Sequence, residues 1–214
     1  MKMKNSTIFN GALATLLLLA TTLASFGQES YFAILLNNAN SRLNYGGMNS
    51  SLHGYKKDVR GLQGGLSWQA GITKRFSIVT EAYYVKKGGT ITAGNPLTGD
   101  KSTLRLHTVE VPVLARVHAG RFYINAGPYA NYIFSGRVSS DGEETRSISF
   151  GTGGFRHWEA GLQGGAGWQF ALKKTKIALD VRYSHGLTSI SKTDNLYNRT
   201  LNVNIITRRS KRQG

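Results

Sequence analysis

Apolar and polar residues alternate at period two along most of this chain. Each alternating run is bounded by glycine, serine, asparagine or a short basic cluster. Successive side chains of an extended backbone point to opposite sides, so this pattern predicts strands with two unlike faces. Over residues 59–72 the even positions include Leu62, Leu66, Trp68, Ala70 and Ile72, and the odd positions hold Gln63, Ser67, Gln69 and glycines. Residues 156–171 repeat the arrangement, with Leu162, Ala166, Trp168 and Phe170 against Gln163, Gln169 and glycines. The same reading predicts strands at 30–38, 76–87, 103–118, 122–136, 176–186 and 197–207, making eight in all.

The predicted connections alternate in length. Residues 73–75, 119–121 and 172–175 are tight links, whereas 39–58, 88–102, 137–155 and 187–196 are long and rich in Gly, Ser, Asn and Asp. An even number of strands with short turns at one end and long loops at the other is the plan of an outer-membrane barrel. The fold class predicted is therefore all-β: one domain, an eight-stranded antiparallel up-and-down transmembrane β-barrel. A soluble lipocalin-like carrier would use the same strands with the apolar face turned inward. The polar faces favour the membrane arrangement. They carry Gly, Gln, Asn and a few charges with almost no lysine, as a packed lumen would, and the lysines gather at turns and loops. Tyr and Trp near strand ends suit the interfacial girdles of a barrel in lipid.

Five charges fall on the predicted inner face: Glu81, Glu110, Arg116, Asp180 and Arg182. An eight-stranded barrel is just wide enough to be filled by side chains, so these groups must pair to remain ionised. The expectation is a structural charge cluster, with a proton or ion path as the sharper alternative.

The N-terminus changes the picture of location. Lys2 and Lys4 precede an apolar run over residues 11–23, followed by Ser25 and Gly27 at the spacing of a signal-peptidase site. Residues 1–27 are read as a signal peptide and 28–214 as the barrel domain. The whole chain carries 27 basic and 11 acidic residues. Residues 1–27 hold two of the lysines and no acid, so 25 basic and 11 acidic residues follow them, a net +14. Export makes nucleic acid a poor partner for this charge. Outer-membrane lipid and lipopolysaccharide, or a protein partner at the loops, are better ones, and the barrel is expected to be monomeric. No cysteine is present, so neither disulfides nor thiolate metal sites enter.

Motifs for chemistry are scarce. The phrase Gly-Leu-Gln-Gly-Gly at 61–65 and 161–165 fits neither G-x-G-x-x-G nor a Walker loop, and no H-E-x-x-H or G-x-S-x-G occurs. No catalytic, cofactor or metal residue is predicted. If the barrel were a lipid-modifying hydrolase, His107 with Ser102 and Asp100 near the rim would be the candidate group.

The segment HTVEVPVLARVH followed by GRFYINAGPYANYIFSG resembles the PorT-like outer-membrane β-barrel family, most specifically at Glu110-Val111-Pro112. The strand containing EAYYVKKGG is similar to another strand of that family. The resemblance covers most of residues 30–207, although the first strand lacks the usual glycine-rich opening and the chain does not end in an aromatic residue. It implies an integral outer-membrane protein of Gram-negative bacteria. The expected role is non-enzymatic: structural, adhesive or part of a secretion or assembly system, acting through extracellular loops. An enzyme acting on lipid and a secreted carrier are the alternatives. The repeated glycine phrase is expected to mark two strands on opposite walls, with Glu81 and Asp180 at matching inward positions.

Overall fold

The computed structural model describes residues 30–172 and 175–209. The predicted signal peptide lies outside the described residues. Among the described residues nine strands form: β1 (Tyr31–Asn44), β2 (Lys56–Gly71), β3 (Phe76–Ile91), β4 (Ser102–Ala119), β5 (Phe122–Ser140), a two-residue β6 (Arg146–Ser147), β7 (Trp158–Ala171), β8 (Thr175–Gly186) and β9 (Tyr197–Arg209). All but β6 are staves of one closed sheet. Neighbours run β4-β3-β2-β1-β9-β8-β7-β5, and β5 pairs back onto β4 to remove both edges. Every pairing is antiparallel. This is the predicted eight-stranded up-and-down barrel.

At the end with the short connections the turns are locally encoded. Ala119 pairs with Phe122, leaving Gly120 and Arg121 as a two-residue turn. Gly120 sits at φ 64°, where only glycine avoids steric cost. Between β2 and β3 the Thr73 hydroxyl accepts hydrogen bonds from the backbone N–H groups of Arg75 and Phe76, at 3.2 and 3.0 Å.

The apolar faces point outward. Leu62 is 79 % exposed, and Phe32, Ile34, Leu66, Val109, Val111, Val113, Val117, Ile124, Leu162, Val181, Val203 and Ile205 share that outer wall. The soluble-carrier alternative fails on this point, since its apolar positions would be inside. From Val109 to Ala119 the outward positions of β4 are all apolar. Ten steps of about 3.3 Å, tilted by about 40°, rise roughly 25 Å, the height of a barrel's lipid-facing band. Aromatic residues border the band at both ends. Phe32 and Trp68 pack with ring centroids 6.5 Å apart at the turn end, and Tyr132 and Trp158 at 5.0 Å at the loop end. Val113 lies midway along the band, so Val113→Arg should destabilise the membrane-folded protein by about 2–4 kcal/mol. Urea titration in lipid vesicles would measure this, and an unchanged midpoint would contradict the assignment of the outer face.

Several strands run past their predicted ends at the loop side. β1 continues to Asn44 instead of stopping at residue 38, β3 to Ile91 and β5 to Ser140. The reason is a change of solvent. Beyond the lipid band the outward positions become polar, as with Asn40, Arg42 and Asn44, while inward Ala39, Ser41 and Leu43 remain buried. The strand continues although its hydrophobic contrast has weakened or inverted.

Candidate functional site

The lumen is filled in layers. At the turn end, Ala33, Leu35, Tyr123, Ala178 and Ile206 join an apolar cluster. His118 Nε2 lies 3.0 Å from the Ser77 hydroxyl, which in turn accepts a hydrogen bond from Gln69 Nε2. Above this, Arg182 of β8 reaches across the bore to Glu81 of β3 with two hydrogen bonds, 2.6 Å from Nη1 and 3.0 Å from Nη2. Its Nε is 2.5 Å from Asp180. Arg116 completes the layer: Nη2 is 3.9 Å from Asp180, Nη1 donates to Gln69, and the guanidinium lies 4.0 Å from the Tyr123 ring centre. Asn125 and Asn204 donate to the two oxygens of Asp180 at 3.0 and 2.9 Å. Two acids and two arginines balance here, and a buried ion pair persists only when its remaining lone pairs are satisfied in this way.

The next layer is built from Glu110 of β4, Glu159 of β7 and Lys87 of β3. Lys87 forms an ion pair with Glu110 and lies 3.8 Å from Glu159. Tyr83 donates to Glu110, Tyr129 to Glu159 at 2.7 Å, and Asn131 and Asn198 to Glu159 at 2.9 and 2.8 Å. Gln163, from the second glycine phrase, donates to Glu110, Tyr83 and Ser184. The five charges expected on the inner face thus divide into two layers. Glu81, Arg116, Asp180 and Arg182 meet one another, and Glu110 belongs to the layer above.

Lys87 and Glu159 were not among those five. The lysines were expected to gather at turns and loops, and Lys87 departs from that, being only 1 % exposed inside the bore. Its parity with Glu81, Tyr83 and Val85 carried the signal, masked because the predicted strand stopped at that residue. Glu159 shares the odd parity of Gly161 and Gln163, so the alternation could have found it too.

The glycine phrases create the space for these large side chains. β2 and β7 are four strands apart in either direction around the barrel, on opposite walls. Gly65 pairs with Tyr83 and Gly165 with Arg182. A Cβ at Gly65 would strike Tyr83, one at Gly165 would strike Arg182, and one at Gly167 the Tyr123 ring. The leucines of both phrases face outward and the glutamines inward. Both phrases lie several residues inside their strands.

At the loop end the barrel mouth is covered. Leu43, Leu104, Leu106, Ile133, Ile190 and Leu196 form a second apolar cluster, with Phe150 and Phe155 packed on it from the β6–β7 connection. The β6–β7 and β8–β9 loops are tied together by a Phe155–Ser191 bridge, by Arg156 N–H to Ile190 O at 2.8 Å, and by Lys192 Nζ to Phe150 O at 2.7 Å. Tyr45, in the first loop, packs against this lid, and burial pushes its phenol up to about 12.

The group of residues considered for hydrolysis does not assemble. His107 Nδ1 is 2.6 Å from the Tyr84 hydroxyl on the outer wall, Ser140 donates to Ser102, and Asp100 is exposed in the β3–β4 loop. Among the described residues, no group of three or more His, Cys, Asp or Glu is placed to hold a metal ion.

A closed antiparallel barrel with an apolar outer band, aromatic borders and a charge-packed bore is an integral outer-membrane protein of the Gram-negative type. Residues 26–192 match the model of the outer membrane protein beta-barrel domain, and the chain belongs to that family. Comparison with curated proteins finds no match. Among solved structures it is similar to Neisserial surface protein A, at 10 % identity and a TM-score of 0.50, covering 84 % of this chain and 98 % of that one. It is also similar to the attachment invasion locus protein Ail of Yersinia pestis, at 16 % identity and TM-score 0.43, covering 83 % and 97 %. OprG of Pseudomonas aeruginosa matches at 9 % identity and TM-score 0.45, covering 85 % and 96 %. At these identities the likeness is one of fold. The protein resides in the cell outer membrane.

Proposed function

We propose that this protein is a non-enzymatic, non-conducting membrane scaffold whose extracellular loops contact a macromolecular partner, as a structural, adhesion or secretion/assembly component. The carrying observation is the covered mouth: an apolar lid lies over two layers of paired charges, so the barrel presents an ordered loop surface and not a conduit. Structural ion pairing, which fixes the bore and thereby the loops, is the role this reading gives Glu81, Glu110, Arg116, Asp180 and Arg182. The dispersed positions of His107, Ser102 and Asp100 support the non-enzymatic part. The PorT-like resemblance, anchored at Glu110-Val111-Pro112, favours the secretion or assembly branch. Residues 1–27 act as the signal peptide in this reading, and the barrel functions as a monomer in lipid and lipopolysaccharide.

Two measurements test it. In planar bilayers the purified protein should give no stepwise current, and a reproducible ohmic conductance would overturn the closed-lumen reading. A photoreactive residue in place of exposed Glu144 in the β5–β6 loop should capture a protein or polysaccharide in whole cells, while one at Val113 should capture lipid alone. Equal capture at both positions, or none at the loop, would defeat the scaffold reading.

A further inference from the structure

On β1 the lipid-facing surface is interrupted by polar residues. On β1, Phe32, Ile34 and Leu36 face lipid, but the next outward residues are Asn38 and Asn40. Asn38 stands between Leu62 and Val203, and Asn40 between Arg60 and Leu201. Amide groups beside leucine and valine at this depth require hydrogen-bonding partners that acyl chains cannot supply.

Immediately above is an open groove of about 360 Å³, whose lining includes Asn40, Arg42, Lys56, Asp58, Arg199 and Leu201. Three cations and one acid give it a net positive charge. Arg42 and Arg199 stand directly opposite each other across β1 and β9, an arrangement that is unfavourable without an intervening anion. Both side chains are held in place from one side. Arg42 Nε is 2.5 Å from Asp58, and Arg199 Nη1 donates to the backbone oxygens of Gly186 and Asn198. Lys56 donates to Asn49 at 2.5 Å, and burial together with nearby Arg42 holds its ammonium below the usual lysine range. The lower edge of the groove, at Leu201 and Tyr183, is continuous with the lipid-facing band.

We infer that this groove between β1, β2, β8 and β9 binds the phosphorylated sugar headgroup of an outer-leaflet glycolipid. A phosphate monoester lies between Arg42 and Arg199, sugar hydroxyls meet Asn40 and the loop amides, and an acyl chain runs down past Leu201 and Tyr183. The groove straddles the boundary between apolar and polar wall, where such a headgroup resides in the membrane, and its charge is complementary to phosphate. This deepens the lipid partner named above but is independent of the loop partner and of the closed lumen.

The test uses the full barrel in nanodiscs of phosphatidylcholine doped with lipid A or with enzymatically dephosphorylated lipid A, reading bound copies by native mass spectrometry. Wild type should retain lipid A and lose it on dephosphorylation. Arg42→Gln/Arg199→Gln should weaken retention on the order of tenfold or more, since two charge-assisted contacts are removed. Arg105 and Arg137 are also directly opposed and outward, on the β4–β5 wall away from the groove. Arg105→Gln/Arg137→Gln should leave retention within about twofold, the sensitivity expected of diffuse surface charge. Heat-modifiable gel mobility would establish that both variants remain folded. Equal losses in the two double variants, failure of wild type to retain lipid A, or full competition by millimolar inorganic phosphate would each overturn the site as a glycolipid site. If the loop partner were lost while lipid retention persisted, the scaffold reading alone would fall.

Discussion

Replacing Arg182 by methionine is expected to destabilise the folded barrel by about 3–5 kcal/mol, the cost of leaving buried charge without its partner. Arg182 is the only group bonded to both Glu81 and Asp180 among the described residues, and all three are essentially inaccessible to water. Removing the guanidinium leaves two carboxylates facing a single distant cation, Arg116, whose nearest approach to Asp180 is 3.9 Å. The double variant Arg182→Met/Glu81→Gln removes one charge of each sign and leaves Asp180 with Arg116. It should regain more than half of the lost stability, because deleting a buried pair costs far less than splitting it. Urea titration followed by heat-modifiable mobility reads both values. A single variant within about 1 kcal/mol of wild type, the range of an exposed pair, or a double variant no better than the single, would show that the layer does not act as a balanced unit.

The second large effect is expected at Gly165. A side chain there would meet the carbonyl oxygen of Val181 and both the Cα and Cγ of Arg182. Two of these atoms belong to the β8 backbone, hydrogen-bonded into the ladder, so they cannot yield as the tip of a flexible side chain would. Gly165→Val should therefore cost at least the upper end of ordinary overpacking, about 3 kcal/mol, and displace Arg182 from Glu81. Gly164 is the control. It faces the other way, and the nearest atoms to an added Cβ are 3.7 and 3.9 Å distant, so Gly164→Ala should fold and migrate like wild type. If the two substitutions were equally tolerated, glycine at 165 would not be explained by the space that Arg182 requires.

Together these variants examine why a phrase of five residues recurs 100 positions apart. On each wall it supplies a glutamine to the bore, a leucine to the lipid, and a bare backbone opposite a large inward residue of the next strand. Tyr83 fills that place beside β2, and Arg182 fills it beside β7. The two walls therefore match in shape and differ in charge, which lets a cation on one side reach an acid on the other.

Much of this architecture was legible in the one-dimensional pattern. Period-two alternation located the eight staves, and the contrast between short and long connections fixed which end carries the loops. Parity put Glu81, Glu110, Arg116, Asp180 and Arg182 on one face. These inferences succeed because alternation is a local property of extended chain, and a barrel wall asks every strand to answer to the same two solvents.

Local pattern could not decide which charge meets which. Arg182 contacts Glu81 across a bore, at a sequence separation of 101 residues, and no spacing rule encodes that distance. Lys87 was hidden because its strand leaves the lipid band there and the outward residues turn polar. The groove was hidden because Arg42, Lys56 and Arg199 come from three strands, two of them joined only by barrel closure between β1 and β9. Alternation along the chain was enough for the strands, their faces and the membrane that such faces require. Only closure of the sheet decided the charge layers, the lid and the groove, since each is made by residues that become neighbours when the first and last strands pair.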